Sequence, residues 1–149
     1  MGQQQLLLLV LGMVIVGIAV VAGIQAFSEG KAKADRDAAV SDAMRIISDV
    51  QAWKLKPKAF GGGGGANDAD FQDLGSGEAA FKAIGIPSSR VNNNQYYTVN
   101  GCYKLNGTSN GAVLEVYFVN PADSTCGEQI ARVTITGTDP EDISWSYSN

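Results

Sequence analysis

Residues 6–24 read LLLLVLGMVIVGIAVVAGI, nineteen consecutive residues without a charge or a proline. At 1.5 Å rise per residue, a helix of this length measures about 28 Å, close to the thickness of the hydrocarbon core of a bilayer. The stretch is longer than the apolar region of a secretory signal, and no basic residue precedes it. We therefore expect this segment to insert into a membrane, with signal cleavage near residues 21–23 as the less favoured alternative.

The uncharged region extends beyond this stretch on both sides. Residues 1–28 carry no charged side chain, whereas the 11 Lys and Arg and the 15 Asp and Glu all follow. Beyond them, apolar residues recur three and four apart, as on one face of a helix, at Ala39, Ala43, Ile46, Val50 and Trp53. The sequence predicts one helix over residues 1–55, a hydrophobic stalk over 1–28 and an amphipathic half over 29–55, ended by Pro57.

Residues 56–89 are predicted as a glycine-rich junction between the helix and a head. Residues 61–65 are five consecutive glycines, which we expect to behave as flexible chain. They lack the Lys-Ser/Thr pair and the preceding strand of a phosphate-binding loop, so that function is disfavoured. Helix formers over residues 78–84 follow Ser76 and precede Gly85, which predicts a short helix with a cap and a stop.

The junction also contains three closely spaced aspartates, Asp68, Asp70 and Asp73. Carboxylate oxygens are the ligands that calcium prefers, so a calcium loop is one interpretation. The spacing does not match an EF-hand, because the internal glycine and the distal bidentate glutamate are missing. A solvated acidic loop is the favoured interpretation.

From residue 90 onward the apolar pattern changes to the period of two that is typical of strands. The predicted strands are 96–99, 102–105, 112–120, 129–136 and 143–147, with a tight hairpin at Asn100-Gly101. Short strands in sequence favour an antiparallel meander over residues 90–149. A sheet of this size needs a partner to bury one face, and we expect the amphipathic helix to pack on it through Ile46, Val50 and Trp53.

The predicted fold class is therefore α+β, with a long N-terminal helix packed on a small antiparallel sheet. Both cysteines, Cys102 and Cys126, lie in the head and beside turn residues rather than in a metal-binding C-x-x-C pair. A bridge between them would contribute about 3 kcal/mol by closing a loop. A membrane segment upstream points to an exported, oxidising compartment, so a disulfide is favoured over two reduced core cysteines.

The composition excludes several classes of function. The chain contains no histidine, which removes imidazole acid-base catalysis, Ser-His and Cys-His nucleophile pairs and histidine metal ligands. A net charge of −4 offers no general field for nucleic acid. We therefore predict neither an enzyme nor a nucleic-acid-binding protein, and neither a cofactor nor a metal.

A polar N-terminus, an uncharged run, an amphipathic extension, a flexible junction and a small head with one disulfide loop together resemble the type IV pilins. The pseudopilins of type II secretion are similar. The resemblance implies that a prepilin peptidase removes a basic leader after glycine, and that the N-terminal helices then bundle as the core of a filament. In that family a glutamate at mature position 5 pairs with a neighbour's amine; here Gln5 stands there if Met1 is the mature N-terminus.

The resemblance assigns the polymerisation core to residues 1–28. Its candidate residues are Gln5, Leu6, Leu9, Gly12, Val16, Gly17, Val20, Gly23 and Phe27. Gln5 accepts hydrogen bonds but supplies no charge. The family's mid-span proline is absent, and the three glycines are suited either to local unwinding or to close helix–helix packing.

The resemblance also implies partners and a location. The partners are further copies of the chain, the pilus assembly machinery and the prepilin peptidase, with insertion in the cytoplasmic membrane before assembly into an extracellular filament. Lys31, Lys33 and Arg36 follow the apolar segment, and the positive-inside rule alone would leave the head in the cytoplasm. A basic leader that has been removed, or cleavage after Gly2, reconciles the charges with an exported head. A monomeric, membrane-anchored extracytoplasmic binding domain is the alternative function.

Overall fold

A computed structural model describes residues 2–65, 69–120 and 125–148. The chain divides into two units, Met1–Asp35 and Arg36–Asn149. The first unit is helical throughout its described residues, and the second contains the sheet. The predicted fold class is confirmed, because one long helix packs on an antiparallel sheet of six strands.

Helix α1 comprises Gly2–Leu55, within one residue of the predicted range. Its part in the second unit buries one face, and the buried residues are three or four positions apart: Ala39, Ala43, Ile46, Ile47, Val50, Trp53 and Lys54. This spacing places them on a single stripe of the helix, which explains why this half of α1 lies on the sheet. All except Lys54 belong to the hydrophobic core.

The six strands follow one another in space in the order of the chain. They are β1 (Val91–Asn92), β2 (Gln95–Tyr97), β3 (Cys102–Thr108), β4 (Gly111–Asn120), β5 (Thr125–Ile135) and β6 (Ile143–Tyr147). All neighbouring pairs are antiparallel, so the sheet is the predicted meander with one more short strand at its start. Strand β5 begins four residues earlier than the sequence pattern indicated.

The tight hairpin lies at a different place from the predicted one. Asn93 and Asn94 both have left-handed backbone angles, with φ of 49° and 62°, and form the two-residue turn between β1 and β2. This is the geometry of a type I′ turn, which asparagine tolerates better than most residues. The Asn100-Gly101 pair belongs instead to a four-residue connection, in which the Thr98 N–H donates to the Gly101 carbonyl at 2.9 Å.

A bulge interrupts the alternation of faces along β5. Strict alternation would place Ile130 and Ala131 on opposite faces, yet both are fully buried. Val116 pairs with Ala131 and Tyr117 pairs with Gln129, so Ile130 is an extra residue in the ladder. The bulge turns its side chain into the core instead of towards solvent.

The glycine run is ordered, contrary to the expectation of flexible chain. It folds back over the end of α1, where the N–H groups of Gly63, Gly64 and Gly65 donate to the carbonyls of Trp53, Lys56 and Lys54 at 3.0, 2.9 and 3.3 Å. A helix leaves its last carbonyls without intrahelical partners, and this segment supplies the missing donors. The run is therefore the C-terminal cap of α1.

The short helix of the junction, α2, comprises Glu78–Ala83. Its N-cap is Gly77 with φ of 57°, not the predicted Ser76, and the first helical N–H, that of Glu78, donates to Asn94 Oδ1 at 3.5 Å. Ser76 pairs instead with Asn106 of β3 in an isolated antiparallel bridge. The Gly77 N–H donates to the Leu105 carbonyl at 2.8 Å, so the junction continues the sheet at the edge of β3 beyond β2.

Candidate functional site

The uncharged part of α1 exposes apolar side chains over its whole circumference. The described residues 2–28 are all exposed, including Leu6 at 67%, Val16 at 62% and Phe27 at 77%. We call the surface of residues 2–28 the apolar helix surface. A helix that is apolar on all sides is stable only when lipid or other protein shields it from water.

The predicted polymerisation residues share one side of this surface. At 100° per residue, Gln5, Leu9, Gly12, Val16, Val20, Gly23 and Phe27 fall on one stripe, and Leu6 and Gly17 widen it. Each lies in the helix and each is exposed. The structure thus places them on a common face and leaves that face open within the described chain.

The glycines on this surface lack any contact within the chain that requires them. A Cβ atom added at Gly12, Gly17 or Gly23 would meet no heavy atom within 4 Å. Glycine in a helix interior costs about 0.5–1 kcal/mol relative to alanine, and nothing in the described chain compensates this cost. Small residues of this kind allow the backbone of another helix to approach closely.

By length and composition, α1 is able to cross a membrane. Its apolar segment is the one described segment that passes this test, and no residue of that segment is buried inside the protein. The helix could therefore anchor the protein in a membrane, pack in a bundle of helices, or do first one and then the other.

The three residues predicted to pack α1 on the sheet are buried, and the Trp53 ring contacts the glycine-rich junction. Ile46, Val50 and Trp53, the three residues predicted for this contact, are 1%, 0% and 5% exposed. The Trp53 indole N–H donates to the Gly61 carbonyl at 3.1 Å, and its ring lies 6.5 Å from that of Phe71. A Cβ atom at Gly63 would approach the Trp53 ring to 2.8 Å, so only glycine fits against the indole here.

Lys54 is a buried cation that sequence reasoning missed. It is 1% exposed, its ammonium donates to the Asp70 carbonyl, and it lies 4.8 Å from the centre of the Phe71 ring. A buried ammonium requires partners of this kind, because its desolvation is costly. Its position in the sequence, next to Trp53 at the end of the apolar stripe, was the available signal.

A polar network joins the middle of α1 to the connection between β2 and β3. Asp42 Oδ2 accepts hydrogen bonds from Thr98 Oγ1 at 3.1 Å, Asn100 Nδ2 at 3.0 Å and Tyr103 Oη at 3.4 Å. The Tyr103 hydroxyl also lies 3.2 Å from the Ala39 carbonyl. Burial raises the pKa of Tyr103 well above its usual value, and the nearby Asp42 carboxylate adds to this effect. The hydroxyl therefore stays protonated as a donor.

The outer face of the sheet has a row of alternating charge. Lys104, Glu115 and Arg132 are directly opposite one another on β3, β4 and β5. Glu115 also accepts the Tyr117 hydroxyl at 2.9 Å, and the Lys104 ammonium lies 4.5 Å from the Tyr117 ring centre. Partial burial and the Glu115 bond raise the pKa of Tyr117 to about 12. Opposite charges across strands stabilise the sheet, which is a structural role.

The aspartates considered for calcium have other partners. Asp70 Oδ1 accepts the Gln72 N–H at 2.9 Å, and Asp73 Oδ2 binds the Lys58 ammonium at 2.7 Å. Lys58 thereby lowers the pKa of the Asp73 carboxyl. Asp68 lies outside the described residues. Within the described residues, no group of three His, Cys, Asp or Glu side chains is placed to hold a metal ion.

The structure joins Cys102 and Cys126 in a disulfide, with their Cα atoms 5.5 Å apart. Cys102 begins β3 and pairs with Tyr117, whereas Cys126 pairs with Val119 on the other side of β4. β3 and β5 pair with opposite sides of β4, and in a flat sheet two such strands are about 9.5 Å apart. The β4–β5 hairpin must therefore bend to bring Cys126 close to Cys102. The register shifts on either side of Tyr117 provide that bend.

We expect peptide mapping of the non-reduced protein to give one linked peptide pair containing Cys102 and Cys126. The two cysteines are 24 residues apart in sequence, and the bridge fastens the end of the β4–β5 hairpin to β3. Reduction should lower the free energy of unfolding by about 3 kcal/mol, since the unfolded chain regains the freedom of a loop of this length. Two free thiols in the untreated protein would contradict the prediction.

No family model, no curated protein and no solved structure matches the chain.

Proposed function

We propose that the protein is a structural subunit of a helical filament, which polymerises through the apolar helix surface and carries its head on the outside. The observation that carries the proposal is a charge-free helix segment, residues 2–28, that is exposed on all sides and in which an added Cβ at Gly12, Gly17 or Gly23 would meet no atom of the described chain within 4 Å. Burial of each large apolar side chain is worth about 1.5–3 kcal/mol, and copies of the same helix supply that burial.

Under this proposal the protein assembles as the type IV pilins do. Its partners are further copies of itself, an assembly machinery, and a prepilin peptidase that removes a basic leader. The helix resides in the cytoplasmic membrane before assembly and in the filament core afterwards, outside the cell. Gln5 hydrogen-bonds to a neighbouring subunit but contributes no ion pair.

A second function, a monomeric membrane-anchored binding domain, is favoured by one observation. The helix is apolar on all sides and not only along the stripe of predicted core residues, and lipid covers such a surface as well as protein does. The two functions differ in whether the helix must fit copies of itself.

The double variant Gly12→Leu with Gly17→Leu separates the two functions. Both substitutions keep the helix apolar and raise its helix propensity, so membrane insertion should be unchanged. The larger side chains keep the backbones of neighbouring helices apart. If each helix–helix contact loses about 1.4 kcal/mol of binding free energy, the association constant of that contact falls about tenfold. We expect filaments to disappear from negatively stained, sheared surface material while the amount of protein in the membrane is retained.

The matched control is Ile18→Leu, which places leucine about 100° or more around the helix from both Gly12 and Gly17. This variant should form filaments at close to the original yield. Normal filaments from the double glycine variant would contradict close packing at the glycines. A parent protein found only as a membrane-bound monomer would favour the anchored binding domain.

A further inference from the structure

Arg45 and Arg90 line a pocket of about 230 Å³ on one flank of the second unit, where α1 meets the connection between β2 and β3. Both arginines are exposed, and neither guanidinium has a hydrogen bond or an ion pair with a described residue. Asp42 also lines the pocket, and its Oδ2 already accepts three internal hydrogen bonds. Two guanidinium groups against one carboxylate leave the pocket with a net positive charge. We call this surface the arginine pocket.

Carboxylates are concentrated in the connection between β5 and β6. Residues 139–142 read DPED, and no Lys or Arg occurs in residues 133–149. Asp139 and Glu141 are exposed, and no carboxylate of this segment forms an ion pair with a described residue. We call residues 139–142 the acidic turn.

The acidic turn is held in one shape by its own hydrogen bonds and by α1. The Asp139 N–H donates to Asp142 Oδ2 at 3.1 Å, and the Asp139 side chain accepts the Asp142 N–H in return. Gln51 Nε2 donates to the Asp139 carbonyl at 3.3 Å and to the Gly137 carbonyl at 3.4 Å. The Glu141 carboxylate takes part in none of these bonds. The turn therefore presents Glu141 from a fixed backbone, and docking costs it little conformational entropy.

The arginine pocket and the acidic turn lie on opposite flanks of α1. Asp42 contacts the β2–β3 connection and Gln51 contacts the β5–β6 connection, and nine residues at 100° each place these side chains about 180° apart around the helix. The two surfaces also lie at different levels, because Arg45 and Gln51 are six residues, or about 9 Å, apart along the helix. The two surfaces of neighbouring copies therefore meet when the copies stand side by side, α1 pointing the same way, with one shifted by about 9 Å.

We infer that the arginine pocket of one copy binds the acidic turn of the next copy. The inference rests on the proposed filament, because subunits related by one repeated helical step stand side by side with α1 in the same direction. The contact joins two different surfaces, and the shift along α1 prevents it from closing into a ring, so it continues from copy to copy. Glu141 of one copy lies between Arg45 and Arg90 of its neighbour, as a carboxylate held by two charged donors.

This contact has a different role from the apolar helix surface. Burial of the apolar side chains supplies most of the free energy of assembly, whereas opposite charges on the heads select the register between neighbouring copies. The inference thus goes beyond the proposed filament core, because it assigns an interaction to the second unit itself.

Cysteine cross-linking of the full chain tests which surfaces meet. Val99 lines the arginine pocket and is 98% exposed, and Pro140 is exposed in the acidic turn, so cysteine at either position leaves the core intact. Sheared filaments of a chain with both Val99→Cys and Pro140→Cys, treated with a short bis-maleimide, should give a ladder of dimers, trimers and larger multimers. A mixture of the two single variants should stop at dimers, and either variant alone should give at least about tenfold less product. Peptide mapping should locate the link between residues 99 and 140.

Charge reversal tests whether the arginines and the glutamate form the contact. Glu141→Arg in the double-cysteine chain should reduce the ladder at least about tenfold, because like charges then face each other. Adding Arg45→Glu and Arg90→Glu restores opposite charges and should recover most of the ladder. The matched control is Glu128→Arg, the same change at an exposed residue near the start of β5, about 30 Å along the strand from the acidic turn. It should leave the ladder unchanged.

The outcomes separate this inference from the filament proposal. Filaments without a ladder, or a ladder that Glu141→Arg leaves unchanged, would overturn the contact between the heads and leave the filament proposal in place. A ladder that the arginine substitutions do not recover, or one that stops at dimers in the double-cysteine chain, would likewise overturn the contact. A ladder in membranes that carry no filaments would support the contact and contradict the filament proposal, and the absence of both would overturn both.

Discussion

Val16→Asp is expected to abolish filament assembly while the head remains folded. Val16 lies in the middle of the apolar helix surface and is 62% exposed in the single chain. In a bundle of such helices the side chain is covered, and an unpaired carboxylate buried there costs several kcal/mol. Because the residue repeats in every subunit, this cost recurs at every step of assembly. Negative-stain microscopy of sheared surface material is the measurement.

Two substitutions serve as controls for this variant. Val16→Leu keeps the surface apolar and should assemble at close to the original yield. Leu105→Asp places the same charge in the core of the head, where Leu105 is fully buried, and should unfold the head instead. Near-ultraviolet circular dichroism in detergent should therefore be native for Val16→Asp and lost for Leu105→Asp. Normal filaments from Val16→Asp would contradict the filament proposal.

The long helix and the faces of β4 were predictable because their signals are local. An uninterrupted apolar run without proline over residues 6–24 is enough to predict a helix. In the second half of that helix, the stripe that includes Ile46 and Val50 identifies the buried side. Alternation along β4 correctly separates the buried Leu114 and Val116 from their neighbours. Each of these predictions depends only on residues close together in the sequence.

The order of the glycine run was not predictable from its composition. Glycine has little preference of its own, so what fixes residues 61–65 is the end of α1: carbonyls without helical partners, and the Trp53 ring that covers Gly63. These contacts exist only after the helix has formed and ended at Leu55. The composition of the segment describes its freedom in the unfolded chain. It does not reveal the helix-end carbonyls that accept its hydrogen bonds in the folded chain.

The bulge at Ile130 and the direction of the backbone groups of β6 could not be predicted from the sequence, for a related reason. Period-two patterns identify faces but not which neighbour each backbone group bonds, and one extra residue exchanges the faces. The direction of the Trp145 backbone groups, away from β5, follows from the register with β5, which is a property of two strands. The sequence of β6 alone cannot distinguish a paired edge from an open one.

Trp53→Ala is expected to lower the free energy of unfolding of the head by about 3–5 kcal/mol. The indole is 5% exposed, packs against Phe71 and Gly63, and donates to the Gly61 carbonyl. Its removal leaves a cavity under the glycine run and removes the side-chain N–H that donates to the Gly61 carbonyl. Thermal unfolding of the full chain in detergent, followed by near-ultraviolet circular dichroism, measures the loss.

The substitution should also loosen the cap before the rest of the head unfolds. The Gly63 N–H bonds to the Trp53 carbonyl, a backbone group that alanine retains, so faster hydrogen exchange at Gly63 would report the missing ring rather than a missing acceptor.

Two further variants serve as controls. Trp53→Phe keeps an aromatic ring but lacks the indole N–H, and its free energy of unfolding should fall by about 1 kcal/mol more than the loss of buried area explains, because the bond to the Gly61 carbonyl is missing. Phe60→Ala, at a neighbouring side chain that is 73% exposed, should change stability by less than about 0.5 kcal/mol. An unchanged melting temperature for Trp53→Ala would show that the head does not depend on this contact, and that the cap holds α1 by its backbone bonds alone.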